Sequence, residues 1–261
     1  MRSGSHRPRK RFGQHFLHER GVLARIVESI DPAASDAIVE IGPGEGALTR
    51  LLLERVPRLE AIEIDRDLAA RLRAEFPPER LEVHCADALR FDFSTLAAGA
   101  RLVGNLPYNI STPLLFHLAG YAARVRDMHF MLQLEVVERM VAAPSTRAYG
   151  RLSVMLQTRF RMEKLFRVPS GAFRPPPKVE SALVRLVPLA EPPDLDERAF
   201  SAIVAAAFSA RRKTLRNALP IEAADFAALS IDPGLRPEDL TPQDYVRIAR
   251  RAAARRPSSS R

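Results

Sequence analysis

The chain has 261 residues, enough for one large domain or a main domain with a small appendage, and its 46% apolar and 27% charged residues rule out collagen-like, coiled-coil and wholly disordered classes. Lysine and arginine outnumber aspartate and glutamate by 40 to 31, a net charge of +9. The single cysteine, Cys85, excludes an internal disulfide scaffold, no run approaches the roughly 18 apolar residues of a membrane span, and the N-terminus lacks an apolar signal core. The expectation is a soluble, cytoplasmic, basic protein, with monomer as the default state.

Residues 1–17 read as a polar, basic N-terminal arm. Val22, Leu23, Ile26, Val27 and Ile30 recur at helical spacing and predict a helix over 18–30, ended by Asp31 and Pro32. A short apolar strand over 37–41 then meets the turn Gly42-Pro43-Gly44-Glu45-Gly46, and a helix follows over 47–55. The alternation repeats: strand 59–64, helix 67–76, strand 81–85, strand 101–104, helix 113–121, strand 128–133 and helix 134–141. Strands alternating with helices argue for a mostly parallel sheet covered on both faces. Two further strands, 165–168 and 179–187, flank the stiff loop Pro175-Pro176-Pro177. Past a linker at Glu191-Pro192-Pro193 the composition turns helical over 196–252, with Phe200, Ile203, Val204, Ala207 and Phe208 on one face. The division expected is therefore an arm over 1–17, an α/β domain over 18–190 and a helical C-terminal domain with a basic tail over 191–261.

The arginine excess fits either the codon bias of a GC-rich genome or polyphosphate binding through counterion release. Clustering favours the second. Arg7, Arg9, Lys10 and Arg11 crowd the start, Arg211, Arg212, Lys213 and Arg216 form a second group, and Arg250, Arg251, Arg255 and Arg256 a third.

Three successive strand ends carry polar groups suited to a nucleoside. Glycine at Gly42 and Gly44 lets the backbone come close to a ligand, and in open α/β sheets ligands bind beyond the carboxyl ends of the strands. Glu63 closes the second strand about 20 residues after that turn, where a carboxylate can accept both hydroxyls of a ribose. Asp65 competes for the role, and Glu63 is preferred because it closes the apolar run. Asp87 closes the third strand and can accept from an adenine amino group. Each feature alone has a purely structural reading, as a tight turn, a surface carboxylate or a turn former.

Asn105-Leu106-Pro107-Tyr108 closes the fourth strand. If the pocket holds a methyl donor, the acceptor is an exocyclic amine conjugated with its ring, and so a poor nucleophile. Two acceptors, the Asn105 side-chain oxygen and the Leu106 carbonyl, would hold its hydrogens and free its lone pair. Pro107 stiffens the turn, and Tyr108 can stack on the base. Phe173 either forms the opposing face of a base sandwich or plugs the core. No cysteine or histidine stands at metal-ligand spacing from His6 or His15, so a zinc site is rejected. His84 and Cys85 adjoin in a strand and face opposite sides.

Together these motifs resemble the ribosomal RNA adenine dimethyltransferases of the small-subunit type. The stretches that carry the resemblance are RKRFGQHFL (9–17), VEIGPGEGALT (39–49), IEIDRDLA (62–69), DAL (87–89), GNLPYNISTPLLF (104–116), VPSGAFRPPPKVESALVRL (168–186) and FSARRKTLRNAL (208–219). The resemblance implies a class I, Rossmann-like methyltransferase sheet of seven mostly parallel strands with a small all-α C-terminal domain. It implies S-adenosylmethionine as donor, and N6 dimethylation of two adjacent adenosines near the 3′ end of small-subunit rRNA. His15, Leu17, Gly42, Gly44, Glu63, Asp87 and Asn105 would hold the donor; many members carry Asn at the position of His15. Asn105, Leu106, Pro107, Tyr108 and Phe173 would form the catalytic site. The arm with Arg9, Lys10 and Arg11 would close over the donor and meet RNA, and Arg211, Arg212, Lys213 and Arg216 would face RNA or pack the domain. Large-subunit rRNA adenine methylation, nicotinamide-dependent oxidoreduction and a pure ribosome-assembly role are the competing readings. The nicotinamide reading leaves the Asn105–Tyr108 motif unexplained.

Overall fold

A computed structural model describes residues 14–209 and 213–254. They fall into two compact units, one holding residues up to 137 with 162–188, the other 138–161 with residues from 189 onward. In chain order come β1 (Phe16–Leu17), α1 (Arg20–Ile30), β2 (Ile38–Ile41), α2 (Ala47–Leu53), β3 (Leu59–Glu63), α3 (Arg66–Glu75), β4 (Leu81–Cys85), β5 (Ala100–Asn105), α4 (Ser111–Ala119), β6 (Val125–Gln133), α5 (Leu134–Met140), α6 (Arg151–Gln157), β7 (Phe160–Val168), β8 (Phe173–Arg174) and β9 (Ser181–Pro188).

The sheet has seven strands in the order β4-β3-β2-β5-β6-β9-β7. From β4 to β6 all neighbours run parallel, and β9 lies antiparallel on β6. The strand order reverses between β2 and β5, which opens a crevice at their carboxyl ends. Gly104 lets these two strands meet there, because a Cβ on it would stand 2.3 Å from the Ile41 carbonyl oxygen. All four residues of β2 are buried, as expected for a strand covered on both faces. Glu40 is the polar exception in that strand, and its carboxylate accepts the Thr49 hydroxyl at 2.6 Å.

The helices follow their sequence signals. In α1 the Glu19 side chain accepts from Gly21 N and Val22 N, and the helix buries Leu23, Ile26, Val27 and Ile30. Asp65 caps α3 by accepting from Asp67 N. At the amino end of β5, buried Arg101 bonds both Asp127 oxygens at 2.9 and 3.0 Å and Asp36 at 2.8 Å. Bidentate geometry of this kind is what lets a buried guanidinium be tolerated.

The second unit contains α6, α7 (Glu197–Phe208), α8 (Leu215–Ala218), α9 (Ala223–Leu229) and α10 (Pro242–Ala254). Its core joins Tyr149, Val154, Phe200, Val204, Leu215, Phe226, Tyr245 and Ile248. A single boundary near residue 190 does not describe this division. Residues 138–161 side with the helices because Tyr149 and Val154 are buried among them, and the Tyr149 hydroxyl donates to the Leu240 carbonyl at 2.9 Å. No helix among the described residues is long and apolar enough to cross a membrane.

Candidate active site

A cavity of about 290 Å³ opens at the carboxyl ends of β2 to β5. The glycine turn forms one wall. Gly42 and Gly44 take φ of +70° and +57°, a region that side-chain-bearing residues rarely adopt. Gly44 N donates to Glu63 Oε2 at 3.1 Å, and Asp65 N to Glu63 Oε1 at 2.8 Å. Glu63 is thereby held at the cavity wall with lone pairs to spare. Burial pushes its carboxyl up, and those two amides work against the rise. Asp65 is buried and absent from the lining, so helix capping accounts for it. Asp87 lines the cavity half-buried and accepts from Leu89 N at 3.0 Å.

The opposite wall comes from β5 and the N-terminal arm. Asn105 Nδ2 donates to the His15 carbonyl at 2.8 Å, leaving Oδ1 to accept. Leu106 is buried, and its N–H donates to the Met131 carbonyl at 3.2 Å, fixing the peptide that follows Asn105. Ile110 N closes the turn onto Pro107 O at 3.1 Å. The Tyr108 hydroxyl pairs with Ser181 Oγ at 2.7 Å, and its ring lies 5.5 Å from the His15 ring at 26°. His15 Nδ1 reaches the Pro175 carbonyl at 2.7 Å, so that nitrogen carries the hydrogen. The arm is tied down by the pairing of Leu17 with Phe173 and by His18 N on the Ala172 carbonyl at 3.0 Å.

The cavity therefore brings together His15, Leu17, Gly42, Gly44, Glu63, Asp87, Asn105, Leu106, Pro107 and Tyr108. Phe173 is not among them. It is buried in the apolar core with Leu17, Val168 and Ala172, where it anchors β8 under the arm. The ring that faces Tyr108 is His15, so the base sandwich expected from Phe173 is not built in this conformation. Lys213 and Arg216 are exposed in the helical unit and are not among the lining residues. Arg9, Lys10, Arg11, Arg211 and Arg212 lie outside the described residues.

Sequence reasoning passed over several lining residues. Ile64 stands 43% exposed at the rim beside Glu63, an apolar side chain with no core to enter. Glu40 and His129 are buried polar groups on the cavity floor. Their signal was a charged or polar residue inside an otherwise apolar strand. Among the described residues, metal-type side chains meet at Glu60, Glu82 and His84, outside the lining. There Glu82 pairs with Arg58, and His84 bonds Glu60 at 3.0 Å.

Comparison with known proteins agrees with this geometry. The model of the family described as ribosomal RNA adenine dimethylase matches residues 5–254. The ribosomal RNA small subunit methyltransferase A of Thiobacillus denitrificans is 62% identical over 96% of this chain and 100% of its own length. The crystal structure of a dimethyladenosine transferase from Plasmodium falciparum superposes with a TM-score of 0.80 at 24% identity, covering 92% of this chain and 98% of that one. That of the 23S rRNA methyltransferase ErmE gives 0.70 at 27% identity, covering 90% and 98%. The glycine turn, the carboxylate it holds and the Asn105–Tyr108 wall thus sit in a chain matched almost end to end, and the chain belongs to the ribosomal RNA adenine dimethylase family.

Proposed function

We propose that this protein transfers methyl groups from S-adenosylmethionine to N6 of two adjacent adenosines near the 3′ end of small-subunit rRNA, two to each, acting as a cytoplasmic monomer on the small ribosomal subunit. The observation that carries the reading is the Asn105 amide, whose Nδ2 is committed to His15 so that Oδ1 and the Leu106 carbonyl are left as neighbouring acceptors. The relatives named above support small-subunit rRNA as the acceptor.

The residues present fit the donor. Glu63 offers a fixed carboxylate for ribose hydroxyls, Asp87 an acceptor for the adenine amino group, and Ile64 an exposed apolar face for the base. The Gly42–Gly44 turn leaves room for close backbone approach. When bound, S-adenosylmethionine supplies an electrophilic methyl on a sulfonium.

The protein's own part is positioning. Asn105 Oδ1 and Leu106 O would accept the amine hydrogens, two before the first transfer and the remaining one before the second, which would turn the nitrogen lone pair out of conjugation with the ring. Tyr108 stacks on the acceptor base, with its hydroxyl held by Ser181. The methylated amine loses its proton to water, so no general base is needed. Burial raises the Tyr108 phenol and the Ser181 hydrogen bond works against the rise. Holding reactants at near-attack geometry of this kind accounts for a large share of enzymatic rate.

The test is transfer of labelled methyl from S-adenosylmethionine to small subunits lacking the dimethyladenosines, with undermethylated large-subunit RNA alongside and Asn105→Ala as control. Label recovered as N6,N6-dimethyladenosine in small-subunit RNA, absent with the variant, is the expected result. Label in large-subunit RNA alone would overturn the acceptor assignment.

A further inference from the structure

The segment from Arg174 to Ser181, between β8 and β9, is tied to the cavity wall at three points. Arg174 is aligned with Phe16 in the two-stranded ladder, the Pro175 carbonyl meets His15 Nδ1 at 2.7 Å, and Ser181 Oγ holds the Tyr108 hydroxyl. A fourth tie is the Glu180 carbonyl, which accepts from Leu134 N at 2.9 Å. Between these ties Pro175, Pro176 and Pro177 fix φ, and Pro177 is buried. A loop held in this way places its side chains at positions set before any ligand arrives, which lowers the cost of binding one.

Two of those side chains are cations. Arg174 and Lys178 are exposed, and among the described residues neither enters an ion pair or a hydrogen bond; Glu180, the acidic residue of the loop, pairs with neither. Other exposed arginines are neutralised, Arg50 by Glu75, Arg58 by Glu82 and Arg126 by Asp36. Side chains alternate along a strand, so with Phe173 in the core Arg174 stands on the other face of β8. That is the face of its aligned neighbour Phe16, which lines the cavity and packs against Gly44. Beside Lys178 stands Val179, a large apolar side chain left 46% exposed. The acceptors of the site lie deeper, Asn105 half-buried and the Leu106 residue buried. A base reaches them only by leaving its stack. Its strand then crosses the mouth with a phosphate on either side and a neighbouring base that has lost its stacking partner. Uncommitted cations suit the phosphates, and an apolar side chain suits the uncovered base.

We infer that Arg174, Lys178 and Val179 form a seat for the RNA strand that flanks the target adenosine, the two cations on backbone phosphates and Val179 against the adjoining base. The inference rests on the RNA-methylation reading above and adds a contact surface to it. The loop that carries the seat also holds the Tyr108 hydroxyl through Ser181, so the strand and the acceptor wall share one frame.

The experiment uses the full chain with small subunits lacking the dimethyladenosines. It reads KM for the subunit, subunit binding across a salt series, and the affinity for S-adenosylhomocysteine by calorimetry. The double variant Arg174→Gln, Lys178→Gln is expected to raise KM about tenfold, the scale of two exposed ion pairs, and to flatten the logarithmic salt slope by about 0.7 for each phosphate no longer contacted. Its affinity for S-adenosylhomocysteine should stay that of the wild type. Arg174→Lys with Lys178→Arg keeps both charges and should restore most of the loss. Val179→Ser should raise KM roughly threefold, the scale of partly covering one valine, and leave the slope alone; no change there would strike Val179 from the seat. A double variant with unchanged KM and slope would overturn the inference. So would a loss that the charge-keeping pair does not restore, or one matched by an equal loss of donor affinity, since either result assigns the loop to shaping the pocket. Wild type that labels no small-subunit RNA would instead overturn the acceptor reading itself, and the inference with it.

Discussion

Asn105 Nδ2 and the His15 carbonyl oxygen stand 2.8 Å apart, and this one bond joins the carboxyl end of β5 to the N-terminal arm. It fixes which way the amide points. Oδ1 is turned away from the arm, and it can only accept. The same bond ties the orientation of the acceptor amide to the backbone at His15.

Asn105→Ala removes both the acceptor and the tether. We expect kcat to fall on the order of a hundredfold or more, the usual cost of deleting one preorganised hydrogen-bonding group at a reacting centre. Binding to the small subunit should persist, because Asn105 is half-buried within the cavity and not part of an exposed basic cluster. Asn105→Asp keeps the acceptor and loses the tether, so its activity should lie between the two. Filter binding beside steady-state transfer separates the effects, and binding that falls in step with activity would sink the distinction.

Tyr108 should divide into ring and hydroxyl contributions. Tyr108→Phe loses only the hydrogen bond with Ser181, worth about 0.5–1.5 kcal/mol, and should lower kcat/KM by roughly tenfold at most. Tyr108→Ala loses stacking on the base, about 1–3 kcal/mol, which is roughly fivefold to over a hundredfold. Ser181→Ala should match the phenylalanine variant in a transfer assay. A serine variant as damaged as Tyr108→Ala would mean that the hydroxyl pair shapes the loop itself.

The parallel sheet was legible in the sequence because its strands are short apolar runs with polar residues closing them. Glu63, Asp87 and Asn105 were legible because each stands at or just past the carboxyl end of a strand. What did not show was pairing between distant short segments. The two-residue ladder of Leu17 with Phe173 has no periodicity to read, and it decides that Phe173 enters the core rather than the cavity. Helix α6 went unassigned for a related reason. It is short, opens at Gly150, and is stabilised by burial of Leu152, Val154 and Leu156 rather than by strong local signals. His129 was hidden because a histidine inside a buried strand looks the same in sequence whether or not it lines a cavity.

The basic segment around Lys213 and Arg216 gives a salt-dependence prediction. Both side chains are exposed, as an ion pair with phosphate requires. Replacing Lys213 and Arg216 by glutamate should weaken small-subunit RNA binding and flatten its dependence on the logarithm of salt concentration, by about one unit of slope for each phosphate no longer neutralised. Fluorescence anisotropy across a salt series reads this directly. An unchanged slope with lower thermal stability would assign the segment to domain packing.

Glu40 makes stability depend on pH near neutrality. Burial pushes its carboxyl from 4.5 up to about 7; the Thr49 hydroxyl works against the rise and the neighbouring Glu63 adds to it. A carboxyl held higher in the folded chain than in the unfolded one binds its proton more tightly when folded. The contribution to stability is therefore complete below pH 4.5 and is lost as pH rises through about 7. A shift of this size is worth about 3 kcal/mol between those limits. Glu63, also raised by burial, acts in the same direction. Glu40→Gln keeps an acceptor for Thr49 and cannot ionise, so its denaturant midpoint should decline less between pH 5 and pH 8 than that of the wild type. Parallel declines in the two proteins would mean that Glu40 stays charged in the fold, and that its proton is not part of the folding equilibrium.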